Sequence, residues 1–147
     1  MERDMISLLE EVNTSVIQLR GVYAAWSKKH GISYHEMLVL YSIRDTGFCT
    51  QKQLCDSYLL PRQTMNHVIQ MMRNSGLLQV SPENCNGREK AFILTETGRA
   101  YAQPLLASLN QVEQQAISRM GPEKLRNMTQ LICEYVQILN ADMENNF

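Results

Sequence analysis

The chain has 147 residues, of which 44% are hydrophobic and 20% are charged, so it can form one globular domain with an ordinary core. This composition excludes a collagen-like, low-complexity or disordered chain. Apolar runs stay well short of the ~20 residues that cross a bilayer. The charged start, Met1–Asp4, does not resemble a secretion signal. We therefore expect a cytoplasmic protein without a membrane partner.

The charge of the chain is unevenly distributed. Its net charge is −1, which by itself does not indicate a nucleic-acid-binding protein. Residues 61–90 carry four basic and two acidic side chains, whereas the rest of the chain carries 10 basic and 13 acidic ones. A local basic excess on an acidic body is compatible with a DNA-facing surface.

The sequence carries no signal for catalysis or for a bound metal or cofactor. The four cysteines are Cys49, Cys55, Cys85 and Cys133, and their spacing contains neither a zinc pattern nor a disulfide framework. The three histidines form no ligand pair at helical spacing, and the P-loop, G-x-S-x-G and H-E-x-x-H motifs are absent. We therefore expect free thiols, no metal, no cofactor and no enzyme activity.

Periodic apolar residues and capping signals predict the first three helices. Apolar side chains recur at three- and four-residue steps over about residues 4–29, as in an amphipathic helix. Residues 33–36 have the pattern of a capping box that begins a second helix, which residues 45–47 end. A second box at residues 50–53 begins a short third helix.

A fourth helix is predicted from Pro61, as its first helical residue, to about Ser75, with Gly76 following its end. Its apolar residues have the i, i+3, i+4, i+7 spacing of a buried stripe: Met65, Val68, Ile69 and Met72. The polar side chains lie opposite this stripe or beside it: Gln63, Thr64, Asn66, His67, Gln70 and Asn74. This polar face is directed to water or to a partner.

Two short strands are predicted after this helix, at residues 77–80 and 91–94. The segment between them, 81–90, contains Pro, Gly and Asn and is therefore predicted as the tip of a hairpin. The fold class is thus mainly α with a small β-hairpin, in the order of a helix-turn-helix followed by a wing.

Two further helices follow the hairpin. Thr95 caps a helix over about 96–119, and Pro104 is expected to kink or split it. Residues 121–122 begin the last helix, whose apolar stripe extends to Leu139. The first and last helices both have wide apolar stripes, which a winged core of ~60 residues cannot cover, so we expect two copies of the chain to pair through them.

Three stretches of the sequence resemble the MarR family of transcription regulators. Leu60–Asn66 is similar to the start of the family's recognition helix, and Met71–Leu78 is similar to its exit. The third stretch, Asn86–Gly98, has the family's wing spacing: an arginine at its third position, five residues, and then L-T-x-x-G. The family usually has Asp where this chain has Asn86, so the carboxylate that commonly braces the wing arginine is replaced by an uncharged amide.

The resemblance implies a single winged-helix domain over residues 1–147, with a winged core at about 33–100 and dimerisation helices at about 4–29 and 100–140. It implies a homodimeric, sequence-specific regulator of transcription, either a repressor, which is favoured, or an activator, which binds double-stranded DNA at a near-palindromic operator. Its two recognition helices would enter successive major grooves about 10 bp apart.

The resemblance directs the polar face of the fourth helix toward base edges and phosphates. Gln63 and Asn66 can each bond adenine. Thr64 can contact a thymine methyl group or a phosphate, and His67 can reach a guanine or a phosphate. Arg62 would hold a phosphate at the start of the helix. Plain solvent exposure is the alternative for each of these side chains.

The predicted wing adds two cations to this surface. Arg88 is expected against the minor groove, whose negative potential attracts arginine, and Lys90 against a phosphate. Cys85 lies in the same loop, where we expect an ordinary thiol, and a redox switch is the alternative. Cys55 and Cys133 fall in apolar helical stripes and are expected in the core, whereas the sequence leaves the place of Cys49 open.

Members of the family often bind a small aromatic or lipophilic effector between the dimerisation helices and the winged core. The corresponding residues here are mostly aromatic: Tyr23, Trp26, Tyr34, Met37 and Tyr41. Plain core packing of these side chains is the alternative. An effector at this place would change the distance between the recognition helices by a rigid-body movement.

A second hypothesis is a winged helix that binds another protein and no DNA. The net charge of −1 favours it. A gel shift with random duplex at low salt distinguishes the two, because a DNA-binding winged helix retains affinity for any duplex under those conditions.

Overall fold

The structure, a computed structural model, describes residues 2–146, so the two ends of the predicted 1–147 domain lie outside the described residues. Its elements are α1 (Glu2–Lys29), α2 (Tyr34–Thr46), β1 (Cys49–Thr50), α3 (Gln51–Tyr58), α4 (Arg62–Asn74), β2 (Leu78–Val80), β3 (Ala91–Leu94), α5 (Glu96–Met120) and α6 (Pro122–Asn145). A 3-10 turn at Pro82–Asn84 lies between β2 and β3. The predicted fold class, mainly α with a small β-hairpin, is confirmed.

The chain divides into two compact units, one up to residue 106 and one from residue 107 onward. The first unit contains α1 to β3 and the beginning of α5, and the second contains the rest of α5 and α6. Among residues 2–146, no helix is both long enough and apolar enough to span a bilayer.

The core of the first unit lies between α2, α3, α4 and the sheet. All four residues of the predicted stripe on α4 are buried: Met65, Val68, Ile69 and Met72. They pack in one cluster with Leu40 of α2 and Leu54 of α3. Burying an aliphatic side chain of this size contributes about 1.5–3 kcal/mol, so this stripe fixes which face of α4 is turned outward.

The sheet has three antiparallel strands in the order β1-β3-β2. Leu78, Gln79 and Val80 of β2 pair with Leu94, Ile93 and Phe92 of β3, as the predicted hairpin requires. The sequence does not predict β1, because a strand of two residues has no periodicity. It forms by pairing with residues 91–92 of β3, and its second residue, Thr50, also caps α3.

The start of α4 differs by one residue from the prediction. Pro61 has φ −59° and ψ 140° and is the N-cap, so the first helical residue is Arg62. The Pro61 carbonyl accepts a hydrogen bond from the Met65 backbone N–H at 3.2 Å. A proline can occupy either position, because the backbone N–H that it lacks has no partner inside the helix at this end.

Helix α5 continues through Pro104 as one helix, so the alternative of a split at this residue is wrong. The proline removes one intrahelical hydrogen bond, to the carbonyl of Ala100. Both residues are on an exposed side of α5, where water can bond the released carbonyl. The local loss is therefore small enough for the helix to remain continuous.

Helices α1 and α6 each leave apolar side chains exposed in the single chain. On α1 these are Met5, Ile6, Leu8, Leu9, Val12, Val16, Ile17, Leu19 and Val22, and on α6 they are Met128, Leu131, Ile132, Val136, Ile138, Leu139 and Met143. No residue of α6 is buried. The expectation that Cys133 lies in the core is accordingly wrong for the single chain, where this thiol is exposed, whereas Cys55 of α3 packs partly buried against the core.

Candidate nucleic-acid interface

A tight turn between α3 and α4 sets the direction of α4. Leu59 ends α3 in the left-handed region, at φ 51°, and its side chain is 87% exposed. Leu60 packs partly buried against the core beside it. The amide of Gln51, on the first turn of α3, donates to the carbonyl of Arg62 at 2.9 Å. The beginnings of the two helices of the helix-turn-helix are thus fixed to each other.

The outer face of α4 carries the polar side chains that the sequence places there. Arg62, Gln63, Asn66 and His67 are exposed, and Thr64 is half-buried. Four predicted residues of α4 line one shallow groove, together with Gln70 and with His35 of α2: Gln63, Thr64, Asn66 and His67. The prediction thus identifies the residues of α4 that line the groove. It misses His35, which reaches the groove only because α2 packs beside α4.

The wing is a hairpin that ends in a tight turn. Asn86 and Glu89 exchange two backbone hydrogen bonds, of 3.1 and 3.0 Å, around a turn formed by Gly87 and Arg88. Gly87 has φ 59°, a value that a residue without a Cβ adopts at little cost. Arg88 is exposed at the tip and Lys90 is exposed beyond it. Within residues 2–146, the Arg88 guanidinium has no hydrogen bond or ion pair, so the Asn86 amide does not brace it. Asn86 shapes the turn through its backbone bonds to Glu89.

Cys85 stabilises the base of this turn. Its thiol donates to the carbonyl of Ser81 at 3.2 Å, and its sulfur accepts from the backbone N–H of Ala91 at 3.4 Å. The side chain is half-buried. These contacts connect the two sides of the wing, which gives the thiol a structural place in the loop.

Glu89 joins the wing to both helices of the helix-turn-helix, and the sequence analysis does not identify it. Its Oε1 accepts from the backbone N–H of Lys52 on α3 at 2.8 Å, and its Oε2 lies 3.7 Å from the Arg62 guanidinium on α4. Arg62 is therefore paired in the free protein, although its side chain remains 73% exposed. The only sequence signal for this contact is an acidic residue between Arg88 and Lys90 in a basic segment.

A junction between the end of α4 and the start of α5 holds the base of the wing. Gly76 adopts φ 74°, and the backbone N–H groups of Gly76 and Leu77 bond the carbonyls of Arg73 and Met72 at 2.9 Å each, as in a Schellman motif. The Thr95 hydroxyl donates to the carbonyl of Gly76 at 2.5 Å and accepts from the backbone N–H of Gly98 at 2.9 Å. The exit and L-T-x-x-G stretches thus meet at one place.

A cleft of about 410 Å³ lies between α1, α2 and the end of α3. Four of the five residues expected at an effector site line it: Tyr23, Tyr34, Met37 and Tyr41. Trp26 is not among the lining residues, and its ring stacks on His30 with centroids 4.2 Å apart.

The cleft also contains residues that the sequence analysis does not identify, among them Arg20, Tyr58 and Leu59. Burial raises the pKa of the Tyr58 hydroxyl, and the nearby Tyr41 adds to this shift. The Tyr58 hydroxyl is therefore a neutral hydrogen-bond donor at physiological pH. The cleft combines an apolar lining with several hydroxyl groups and one arginine.

A helix-turn-helix and an arginine-tipped wing, with long helices before and after them in the chain, constitute the MarR-like winged-helix fold. Among solved structures, a MarR family regulator from Neisseria meningitidis matches with a TM-score of 0.85 and 24% identity, over 95% of this chain and 99% of that chain. The resemblance inferred from three short stretches is confirmed at the level of the fold.

Two other solved structures add bound molecules to the comparison. A MarR family protein from Listeria monocytogenes, solved with 26mer DNA, matches with a TM-score of 0.67 and 16% identity, over 91% of this chain and 89% of that chain. MarR from Staphylococcus aureus, solved with salicylate and kanamycin, matches with a TM-score of 0.65 and 16% identity, over 92% of this chain and 94% of that chain. Neither protein-family models nor curated protein sequences match this chain.

Proposed function

We propose that this chain is a MarR-type regulator of transcription, without enzyme activity, which binds double-stranded DNA sequence-specifically as a homodimer. One observation carries the proposal. The apolar stripe of α4 is buried, which turns the groove of Gln63, Thr64, Asn66 and His67 outward, and Glu89 ties the wing to the start of the same helix. A helix of this kind fits the major groove. The Listeria monocytogenes structure of the same fold, solved with 26mer DNA, supports DNA as the partner.

The groove and the wing have different roles in this proposal. Gln63 and Asn66 read base edges, because a carboxamide presents a donor and an acceptor to adenine. Thr64 and His67 contact a base edge or a phosphate beside them. Arg62 and Lys90 bind phosphates, and Arg88, which has no partner among residues 2–146, enters the minor groove.

A dimer supplies the second recognition helix. Large apolar side chains are exposed along both α1 and α6, and contiguous apolar surface of this kind marks an interaction site. We infer that the terminal helical segments, at about 4–29 and 100–140, pair between two copies by a two-fold axis, while residues 33–100 form the winged core. Two-fold symmetry in the protein then requires a near-palindromic operator.

The cleft is the proposed effector site, and repression is the proposed sign of regulation. The Arg20 guanidinium can pair with a carboxylate, while the lining tyrosines, Tyr23, Tyr34 and Tyr41, supply aromatic surface. A small aromatic acid fits this chemistry better than a purely lipophilic molecule. The salicylate complex of the Staphylococcus aureus protein supports this class of ligand.

Selection of bound duplexes from a random DNA pool tests the proposed function. We expect enrichment of one near-palindromic sequence and, at low salt, weaker binding to random duplex. A gel shift that shows no binding to random duplex at low salt and micromolar protein would instead support the protein-binding alternative, which the net charge of −1 favours.

A further inference from the structure

We propose that Glu89 is a positioning residue of the DNA interface: it fixes the wing to the helix-turn-helix and restrains Arg62 until DNA binds. The inference rests on the proposed function. Glu89 contacts no DNA in this scheme and acts through two neighbours, the Lys52 backbone N–H and the Arg62 guanidinium.

Glu89 accepts a hydrogen bond from a backbone N–H of α3 that the capping box of this helix does not use. Thr50 accepts from the Gln53 backbone N–H at 3.0 Å, and the Gln53 side chain accepts from the Thr50 backbone N–H at 3.1 Å. These two bonds do not use the N–H of Lys52, one of the N-terminal groups of a helix that have no intrahelical partner. The Glu89 carboxylate takes it at 2.8 Å, where the helix dipole also favours a negative charge.

This bond crosses 37 positions of the chain, so it sets a tertiary relation that no local signal provides. Arg88 is the residue directly before Glu89, and the other bonds that hold its turn, between backbone groups and to the Cys85 sulfur, all lie within the wing. Fixing the Glu89 side chain to α3 therefore fixes the position of Arg88 with respect to α4. The Gln51–Arg62 bond of 2.9 Å extends the same connection to the start of α4.

The two carboxylate oxygens have separable effects. Oε1 makes the positional bond to α3, which is not exposed to competition from a phosphate at Arg62. Oε2 lies 3.7 Å from an arginine that is 73% exposed, a weak pair that a DNA phosphate can replace. Glu89 thus lowers the affinity of the protein for any duplex, while it keeps the wing in the position that operator binding requires.

The test compares binding to the selected operator and to random duplex for Glu89→Ala and Glu89→Gln. Both variants lose one negative charge, so we expect tighter binding to random duplex for both. Glu89→Ala also loses the bond to Lys52, so its ratio of operator to random affinity should fall about tenfold. Glu89→Gln keeps a carbonyl oxygen for that bond and should largely retain the ratio.

Glu83→Ala is the matched control, because Glu83 is an exposed acid in the same loop. It should raise affinity for random duplex without lowering the ratio. Amide hydrogen exchange gives a second readout without DNA: the Lys52 N–H should exchange faster in Glu89→Ala than in Glu89→Gln.

Two outcomes would overturn the inference while leaving the proposed function intact. One is a Glu89→Ala protein that loses affinity for both duplexes in parallel or keeps the wild-type ratio. The other is unchanged exchange of the Lys52 amide in that variant. A wild-type protein that binds neither duplex refutes the proposed function, and the positioning role with it.

Discussion

Arg88 shows most clearly what a single side chain contributes to this surface. It stands exposed at the wing tip, without an ion pair among residues 2–146, so its charge is available to DNA. We expect Arg88→Ala to weaken binding to all duplexes and to reduce the slope of log K against log salt by about 1, because one cation fewer displaces counterions. Affinity measured across a salt series checks this, and an unchanged slope would remove Arg88 from the contacts.

Gln63 should behave differently, because a carboxamide distinguishes bases and carries no charge. We expect Gln63→Ala to relax preference at one base position of each half-site, at a cost of about 1–3 kcal/mol for the selected base. Competition with operators changed at single positions measures this. Wild-type preference at every position in the variant would contradict the assignment.

Cys49, whose place the sequence leaves open, is fully buried on β1. Burial raises the pKa of its thiol from 9.0 to about 12. Since the unfolded chain releases this proton first, the stability that depends on the neutral thiol is complete below pH 9 and is lost as pH rises toward 12.

We therefore expect the free energy of unfolding to decrease more steeply between pH 9 and pH 11 in the wild type than in Cys49→Ala. Urea titrations of both proteins at several alkaline pH values measure the difference. Parallel profiles of the two proteins would show that Cys49 does not contribute to the alkaline dependence.

At the scale of elements, the junction between α4 and α5 depends on one glycine. A Cβ on Gly98 would lie 2.0 Å from the carbonyl oxygen of Leu77, a backbone atom that cannot move aside by a side-chain rotation. We expect Gly98→Ala to reduce the free energy of unfolding by about 3 kcal/mol and to loosen the wing. Denaturant unfolding followed by circular dichroism measures this loss.

Gly21→Ala in α1 is the control for this substitution. A Cβ at Gly21 would meet nothing within 4 Å, so the same change should be neutral or stabilise the helix by up to about 1 kcal/mol. Equal effects of the two substitutions would show that the close approach at Gly98 does not decide the stability of the junction.

Local signals explain which elements the sequence could predict. The stripe of α4, both capping boxes and the bounds of β3 depend on residues within a few positions of each other. Strand β1 depends on pairing with β3, some 40 positions further along the chain, and so gives no periodic signal.

The same distinction applies to the candidate site. The polar face of α4 and the tip residue Arg88 follow from helical spacing and from the wing motif. Glu89, Arg20 and His35 acquire their places only through packing between elements. Trp26 shows the opposite case, because aromatic character and helix position place it at the cleft, whereas its ring stacks on His30 instead.

At the scale of the whole molecule, charge and apolar surface point to two different partners. The net charge is −1 and the chain outside residues 61–90 is acidic, so electrostatic attraction for DNA comes only from α4 and the wing. The apolar residues exposed on α1 and on α6 require a cover of another kind, for which we propose a second copy. The proposed dimer meets both requirements, because it covers these apolar residues and presents two recognition helices to one duplex.

The number of chains bound to one selected duplex tests this arrangement most directly. Sedimentation of the complex at saturating protein gives that number, and the selected sequence gives the symmetry of the site. We expect two chains per duplex and inverted half-sites separated by about one helical turn, ~10 bp. One chain per duplex, or a selected sequence without an inverted repeat, would contradict it.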